Sequence, residues 1–582
     1  MTGVLTAAGA LLGLLRDQTL AHLFGADGST DAFLVAWTVP EFASTLLIED
    51  GMALVLVPAF SMALARRARG AHTGADPVRA LVRTSLPRLG LALAAVSVLV
   101  IAAAPLLVDL LAPGLPDPGL AVDCTRLTAT CLLSFGLSGY CGAALRAHGR
   151  FLVPAAIYVA YNTGIITAMF VLGGHWGVRS AAVGVAVGGL LMVVVQAPSL
   201  WRRLRDVPPP GRPPQDPSAP DTPHALGTPT TPHTPDTPGT AHAPGADAGA
   251  RLAGGALIAS VLLFGVFRQS QVLIERFLGS SLPAGAISHL NYAQKVAQMP
   301  MVLSLMLCTV TFPVVARALA DGDTDTARRR VERDLTLAAT VVLFGVAALV
   351  ACAPALVALL FQRGAFTADD TAATAGVMRV YALGLLGHTL VGALVRSYFS
   401  AGRATWYPLA AMVLGAVVTA VLGALAVGPH GVRGIAAANA TGISLTAVLL
   451  LCGTGERNVP VRRCRIARQL ARTVLAAGCA AGAGALCAAW AEGPRAAIGG
   501  TGGALFAVLA ASLTVAAVFA LALRLLGGLP GHEDGAPPSE RPAASQAPPA
   551  RTDPARPDGH RAARAVRTLR SVTRTRKGTD AR

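Results

Sequence analysis

The sequence predicts an all-α, polytopic membrane protein of about fourteen spans, each built from roughly 20 apolar residues. Three observations predict it. Of 582 residues, 53% are hydrophobic and 14% charged, whereas a soluble domain is about 25% charged. Apolar stretches of spanning length recur from one end to the other, and mean hydropathy is +0.57. Sixty-two glycines and an aromatic content of 5% suit helices that approach closely through small residues.

In order, the first six spans are expected near 3–24, 30–64, 85–112, 121–147, 152–174 and 178–201. The next six are expected near 252–279, 285–318, 335–361, 372–400, 405–427 and 431–453. The last two fall near 467–490 and 499–527. These limits divide the chain into a first half (1–205), a linker (206–250), a second half (251–455), a final helix pair (456–528) and a tail (529–582). The linker, with Pro208-Pro209-Pro210 and repeated Thr-Pro, cannot bury a core and reads as disordered. The Pro/Ala/Arg-rich tail reads likewise, as a solvated segment that anionic headgroups could attract.

Loop charge sets the expected orientation. Arg66, Arg67, Arg69, Arg79, Arg83 and Arg88 share one side with Arg146 and Arg150, and with Arg202, Arg203 and Arg205. The same side continues with Arg328, Arg329, Arg330 and Arg333, with Arg396 and Arg403, and with Arg462, Arg463, Arg465 and Arg468. The alternate loops, 25–30, 113–120, 279–285 and 428–431, are poor in Lys and Arg. Arginine-rich loops face the cytoplasm, so an even span count places both termini there, in a bacterial cytoplasmic membrane. The net charge of +17 therefore reads as loop bias, and nucleic acid is not an expected partner. The first helix carries Arg16 and Asp17 and lacks a basic start, so it is read as a span and not as a cleavable signal. The nine cysteines lack CxxC spacing and read as membrane packing residues.

The two halves resemble each other. Leu56-Val57-Pro58-Ala59-Phe60 matches Thr311-Phe312-Pro313-Val314-Val315, and Gly149-Arg150 with Pro154 matches Gly402-Arg403 with Pro408, at nearly the same offset. Six-span repeats of one orientation place a substrate site at their interface, near mid-membrane.

No catalytic constellation, P-loop or metal-ligand spacing is present in the sequence, so an enzyme is not expected. No cofactor is expected, and the identity of any coupling ion is left open. His388 reads as a hydrogen-bonded packing residue. What stands out is charge inside apolar helices, where each group costs roughly 2.5–3.5 kcal/mol on insertion scales. One cluster is Arg16, Asp17 and Asp31; a second is Glu41, Glu49 and Asp50; a third is Arg268, Glu275, Arg276, Asn291, Lys295 and Gln298. Mutual salt bridging explains any one of them, but the set on the leading spans of both halves points to a polar central cavity. Its cations suit a phosphate or pyrophosphate. Pro40, Pro58, Pro300 and Pro313 lie in these spans and supply kinks.

Several motifs in order resemble a known family. Leu14-Leu15-Arg16-Asp17, Phe24-Gly25-Ala26, Thr30-Asp31-Ala32-Phe33 and Leu56-Val57-Pro58-Ala59-Phe60 are similar to the N-terminal signature of the MurJ/MviN lipid II flippases. Leu290-Asn291-Tyr292-Ala293, the run from Phe361 to Asp370, Tyr381-Ala382-Leu383-Gly384 and Tyr398-Phe399-Ser400-Ala401-Gly402 resemble their later spans. The resemblance covers roughly residues 3–525. It implies the MOP exporter fold, two six-helix lobes in a V with two extra helices forming a lipid groove. It also implies movement of a lipid-linked peptidoglycan precursor between leaflets, by alternating access driven by an ion gradient or membrane potential.

The resemblance places Arg16 among the family's cavity cations and Asp31 at its aspartate. Three family arginines are replaced by Ala10, Ser44 and Thr45; another becomes Lys295, and a glutamate becomes Gln298. The expected ligand set is Arg16 and Lys295, with Arg268 and Arg276 secondary; Asp17, Asp31, Glu49, Asp50 and Gln298 are expected to serve coupling or gating. The partners implied are a lipid-linked anionic substrate, membrane lipids and proteins of cell-wall synthesis. Two other readings stay open: an exporter of another lipid-linked saccharide, and a non-transporting paralogue that acts as a scaffold in cell-wall synthesis.

Overall fold

The computed structural model describes residues 2–49, 51–69, 76–205, 244–309, 323–400, 406–455, 461–491, 493 and 499–527. Most of the linker, the whole tail (529–582), Asp50 and Pro313 lie outside these residues. Among the described residues every regular element is a helix.

The first half starts with α1 (Thr2–Phe24). What was expected as one second span is a broken rod: α2 (Gly28–Ala36), α3 (Thr38–Ala43), a π-helical turn (Ser44–Glu49) and α4 (Gly51–Ala68). Pro40 sits inside this interruption; it lacks the N–H that a regular helix would use, and the chain answers with a wider turn. Then come α5 (Pro77–Ala102), α6 (Ala104–Leu111), α7 (Pro118–Ala129), α8 (Cys131–Ala147), α9 (Leu152–Ala155), α10 (Ile157–Trp176) and α11 (Arg179–Arg205). α10 lies along α11 and α1. The contact with α11 is made by glycines: a Cβ on Gly188 would fall 2.6 Å from the Tyr161 carbonyl oxygen, and one on Gly164 2.9 Å from the Gly188 Cα. Close backbone approach through small residues is how helices gain packing energy in lipid.

The second half has α12 (Pro244–Gly279), α13 (Ala286–Ala297), α14 (Met299–Thr309), α15 (Thr324–Phe361), α16 (Ala368–Ala382), α17 (Leu385–Ser400) and α18 (Tyr407–Cys452). Helix α12 begins at Pro244, so the linker ends earlier than the expected residue 250. α15 has 38 residues, about 57 Å at 1.5 Å each, longer than a hydrocarbon core of roughly 30 Å. Its charged first turns carry the excess. Asp323 caps it: hydrogen bonds from the Thr326 side chain and from its N–H, the latter at 2.9 Å, hold the carboxyl below the usual range. α18 is helical on both sides of Gly431, whose φ of 54° and ψ of −134° break it in two. The last pair, α19 (Arg463–Trp490) and α20 (Gly500–Leu525), packs on itself and on α15.

Among the described residues nine helices are long and apolar enough to span a membrane, or ten if α16 and α17, bent by 45°, count as one. The sequence expectation was about fourteen. Helices carrying Arg16 and Asp17, Glu275 and Arg276, and Lys295 fall outside the nine. Arg16 and Asp17 lower the apolarity of α1, α13 has only 12 residues, and α18 passes once although Gly431 divides it.

Candidate functional site

The polar groups of the two halves meet where α2, α3 and the π-turn lie against α12 and α13. At one end of this interface the halves are sealed. Asp31, only 3% exposed, accepts from the Gly285 N–H at 2.7 Å, the Ser288 N–H at 2.7 Å and the Ser288 hydroxyl at 2.6 Å. Gly285 is the residue before α13, so a carboxylate of the first half caps a helix of the second. Anions favour helix starts because four N–H groups there lack intrahelical partners. Around this cap, Tyr292 Oη donates to the Gly25 carbonyl at 3.2 Å, and the Ala365 N–H donates to the His22 carbonyl at 2.9 Å. The Gly114 N–H reaches Ser280 Oγ at 3.4 Å. The Asp31 cap and the Gly25, His22 and Gly114 contacts fall at loops from the arginine-poor set or beside them.

Further into the bundle lie the cations. Arg16 gives Asp17 Oδ1 two hydrogen bonds, from Nε at 3.0 Å and Nη2 at 2.7 Å, and reaches Asn162 Oδ1 at 3.4 Å. Its guanidinium lies 4.4 Å from the Trp37 ring centroid, a cation–π contact. Asn162 is itself fixed by the carbonyls of Gly9 and Tyr158. Across the interface, Lys295 Nζ pairs with Glu41 Oε1 at 3.3 Å, and the two side chains are 25% and 22% exposed. The same Glu41 carboxylate feels the charges of Arg276 and Arg16. Arg276 is buried; it donates to the Ile287 carbonyl and to Asn291 Oδ1, both at 3.3 Å, tying α12 to α13.

Beside it, buried Glu275 accepts from Tyr381 Oη at 2.7 Å and Asn439 Nδ2 at 2.6 Å. His388 Nε2 lies 3.3 Å from Asn439 Oδ1, the packing role expected of it. Buried carboxylates are tolerated where donors satisfy them in this way.

Of the expected site residues, Arg16, Asp17, Asp31, Arg276 and Lys295 are gathered at the interface. Arg268 is exposed on α12 with no ion-pair partner among the described residues, and Gln298 follows α13, half-buried. Asp50 lies outside the described residues, as does the side chain of Glu49. Ser44 and Thr45, standing where arginines were expected, turn their hydroxyls to the Glu41 carbonyl at 3.0 and 3.3 Å. Thr45 Oγ1 also accepts from Gln269 Nε2 at 2.9 Å. The expected ligand set lacked Trp37, Asn162, Tyr381, Asn439 and Ser288, uncharged groups that no charge pattern flags. It also lacked Glu41, whose position after Pro40 was visible among the acidic residues.

Three comparisons bear on this site. The family model described as lipid II flippase MurJ matches residues 20–494. The lipid II flippase MurJ of Burkholderia cenocepacia is 27% identical over 461 residues, 78% of this chain and 82% of that protein. The probable lipid II flippase MurJ of Vibrio cholerae is 25% identical over 464 residues, 78% and 81% of the two. Among solved structures, a lipid II flippase MurJ in an inward closed conformation superposes with a TM-score of 0.65 at 17% identity, over 90% of this chain and 99% of that one. An inward-facing MATE multidrug transporter of the MOP superfamily gives 0.57 at 15%, over 80% and 96%. The structural matches carry the MOP-type fold, and the family model covers most of the chain: this chain belongs to the MurJ lipid II flippase family.

Proposed function

We propose that the chain moves lipid II, a polyprenyl-pyrophosphate-linked peptidoglycan precursor, across the bacterial cytoplasmic membrane by alternating access. One observation carries the reading: cations of both halves, Arg16 on α1 and Lys295 on α13, converge on one interfacial place around Glu41. A pyrophosphate bound there bridges the halves, so its arrival and departure change how they hold together. A cation inside the bilayer is expensive, and a permanent cost of that kind fits a group that meets an anion in each cycle. Arg16 is pre-oriented by Asp17, Asn162 and the Trp37 face, which lowers the ordering cost of binding. Lys295 acts as a mobile point charge, where an arginine would offer a fixed fork.

The sealed end joins loops poor in arginine. Under the positive-inside rule that end faces outward, and the structure then corresponds to a state accessible from the cytoplasm, where the precursor is loaded. Both termini would lie on that cytoplasmic side. The test is rescue of bacterial cells depleted of their own lipid II flippase. The wild-type chain is expected to restore growth, and Arg16→Ala to abolish rescue at unchanged membrane level. Correct insertion without rescue overturns lipid II as the cargo, and full rescue by Arg16→Ala removes Arg16 from the site.

A further inference from the structure

Glu41 stands at the centre of the cations, yet a cavity meant for an anionic cargo gains nothing from a carboxylate in its middle. Its surroundings show a built position. Glu41 lies on α3 just after Pro40, and its own carbonyl is gripped by the hydroxyls of Ser44 and Thr45. Its carboxylate reaches across the interface to Lys295 at 3.3 Å and is shared electrostatically with Arg276 and Arg16. Among the described residues the neighbouring carboxylates are already engaged: Asp17 holds Arg16, Asp31 caps α13, and Glu275 takes Tyr381 and Asn439. Lys295 has no second carboxylate partner among the described residues. The pair is only partly covered, so a ligand in the cavity can reach it.

We infer that Glu41 is a resident counter-ion: it holds Lys295 across the two halves while the site is empty and yields it to the pyrophosphate of the cargo. The inference rests on the proposed pyrophosphate-lipid reading and adds a specificity-determining residue to it. A single carboxylate neutralises Lys295 well enough to avoid a bare buried charge. A pyrophosphate carries more charge and more acceptor oxygens, so it displaces the carboxylate, and like-charge repulsion then pushes Glu41 away. A neutral lipid cannot do this. The ion pair between α3 and α13 therefore opens against an anion and stays shut against neutral lipids, which suppresses empty cycling.

The experiment uses the full chain in lipid nanodiscs, with farnesyl pyrophosphate as probe and farnesol as the uncharged control. Glu41→Gln is nearly isosteric and removes the competitor. It is expected to bind farnesyl pyrophosphate on the order of tenfold tighter, leave farnesol binding unchanged, and transport more slowly. Glu41→Asp keeps the charge on a shorter arm and is expected to tighten binding by a smaller factor. Adding Lys295→Gln to Glu41→Gln is expected to remove the gain. A merely structural Glu41 would weaken binding and transport together; unchanged or weaker binding in Glu41→Gln, with wild type binding the probe and Lys295→Gln weakening it, overturns the counter-ion role alone. If wild type prefers farnesyl pyrophosphate no more than farnesol, and Lys295→Gln changes nothing, the pyrophosphate reading falls and this inference with it.

Discussion

Asp31 shows how much one side chain can hold. Its two oxygens take three donors from the other half of the molecule. Hydrogen bonds to a charged group are worth about 1.5–3 kcal/mol each, although shared networks do not add simply. Asp31→Asn keeps the shape, loses the charge and turns one oxygen into a donor that faces N–H groups. The expected outcome is loss of rescue at normal membrane level, with a lowered thermal midpoint of the purified protein. The sequence made the charged members of this site legible because ionisable groups inside apolar helices are conspicuous. It could not show that Asp31 finds backbone N–H groups and not Arg276, since a partner 254 positions away leaves no local trace. Nor could it separate Arg276, spent on tying α12 to α13, from Lys295, left accessible; the two read alike as letters.

Elements were legible where apolarity is continuous and less so where function interrupts it. The helices from α5 to α11 fall close to their expected limits because their apolar runs are long and end at arginines or glycine turns. The sequence reads residues 30–64 as one span; the break of the observed rod at Pro40 and the π-turn depends on what the Ser44 and Thr45 hydroxyls find, which is tertiary information. The start of α13 offers the sharpest test at this scale. Gly285 adopts φ +92°, and a Cβ there would lie 2.4 Å from the Ala26 carbonyl oxygen. A left-handed backbone costs a non-glycine residue roughly 1–2 kcal/mol, before the clash is counted. Gly285→Ala is expected to loosen the sealed end, seen as faster hydrogen exchange at Ser288 and His289 than in the parent. Exchange as slow as in the parent would mean that the seal does not depend on this turn.

For the molecule as a whole, orientation is the property to check. In a cysteine-free background, Ser281→Cys is expected to react with a membrane-impermeant maleimide on intact cells, and Arg329→Cys only after permeabilisation. The reverse pattern would invert the assignment of the sealed end. Removing residues 529–582 is expected to leave rescue largely intact; its loss would favour a scaffold that works through the tail. The cap on α13 carries one more consequence. Because Asp31 belongs to the opposite half, separating the halves at that end also strips a helix of its first-turn acceptor. Outward opening is then partly a local melting event, with an activation enthalpy of its own. The turnover of this flippase should accordingly rise more steeply with temperature than sliding of rigid bodies alone would give, and Ser288→Ala, which keeps the Asp31 charge but removes one of its three donors, should flatten that slope.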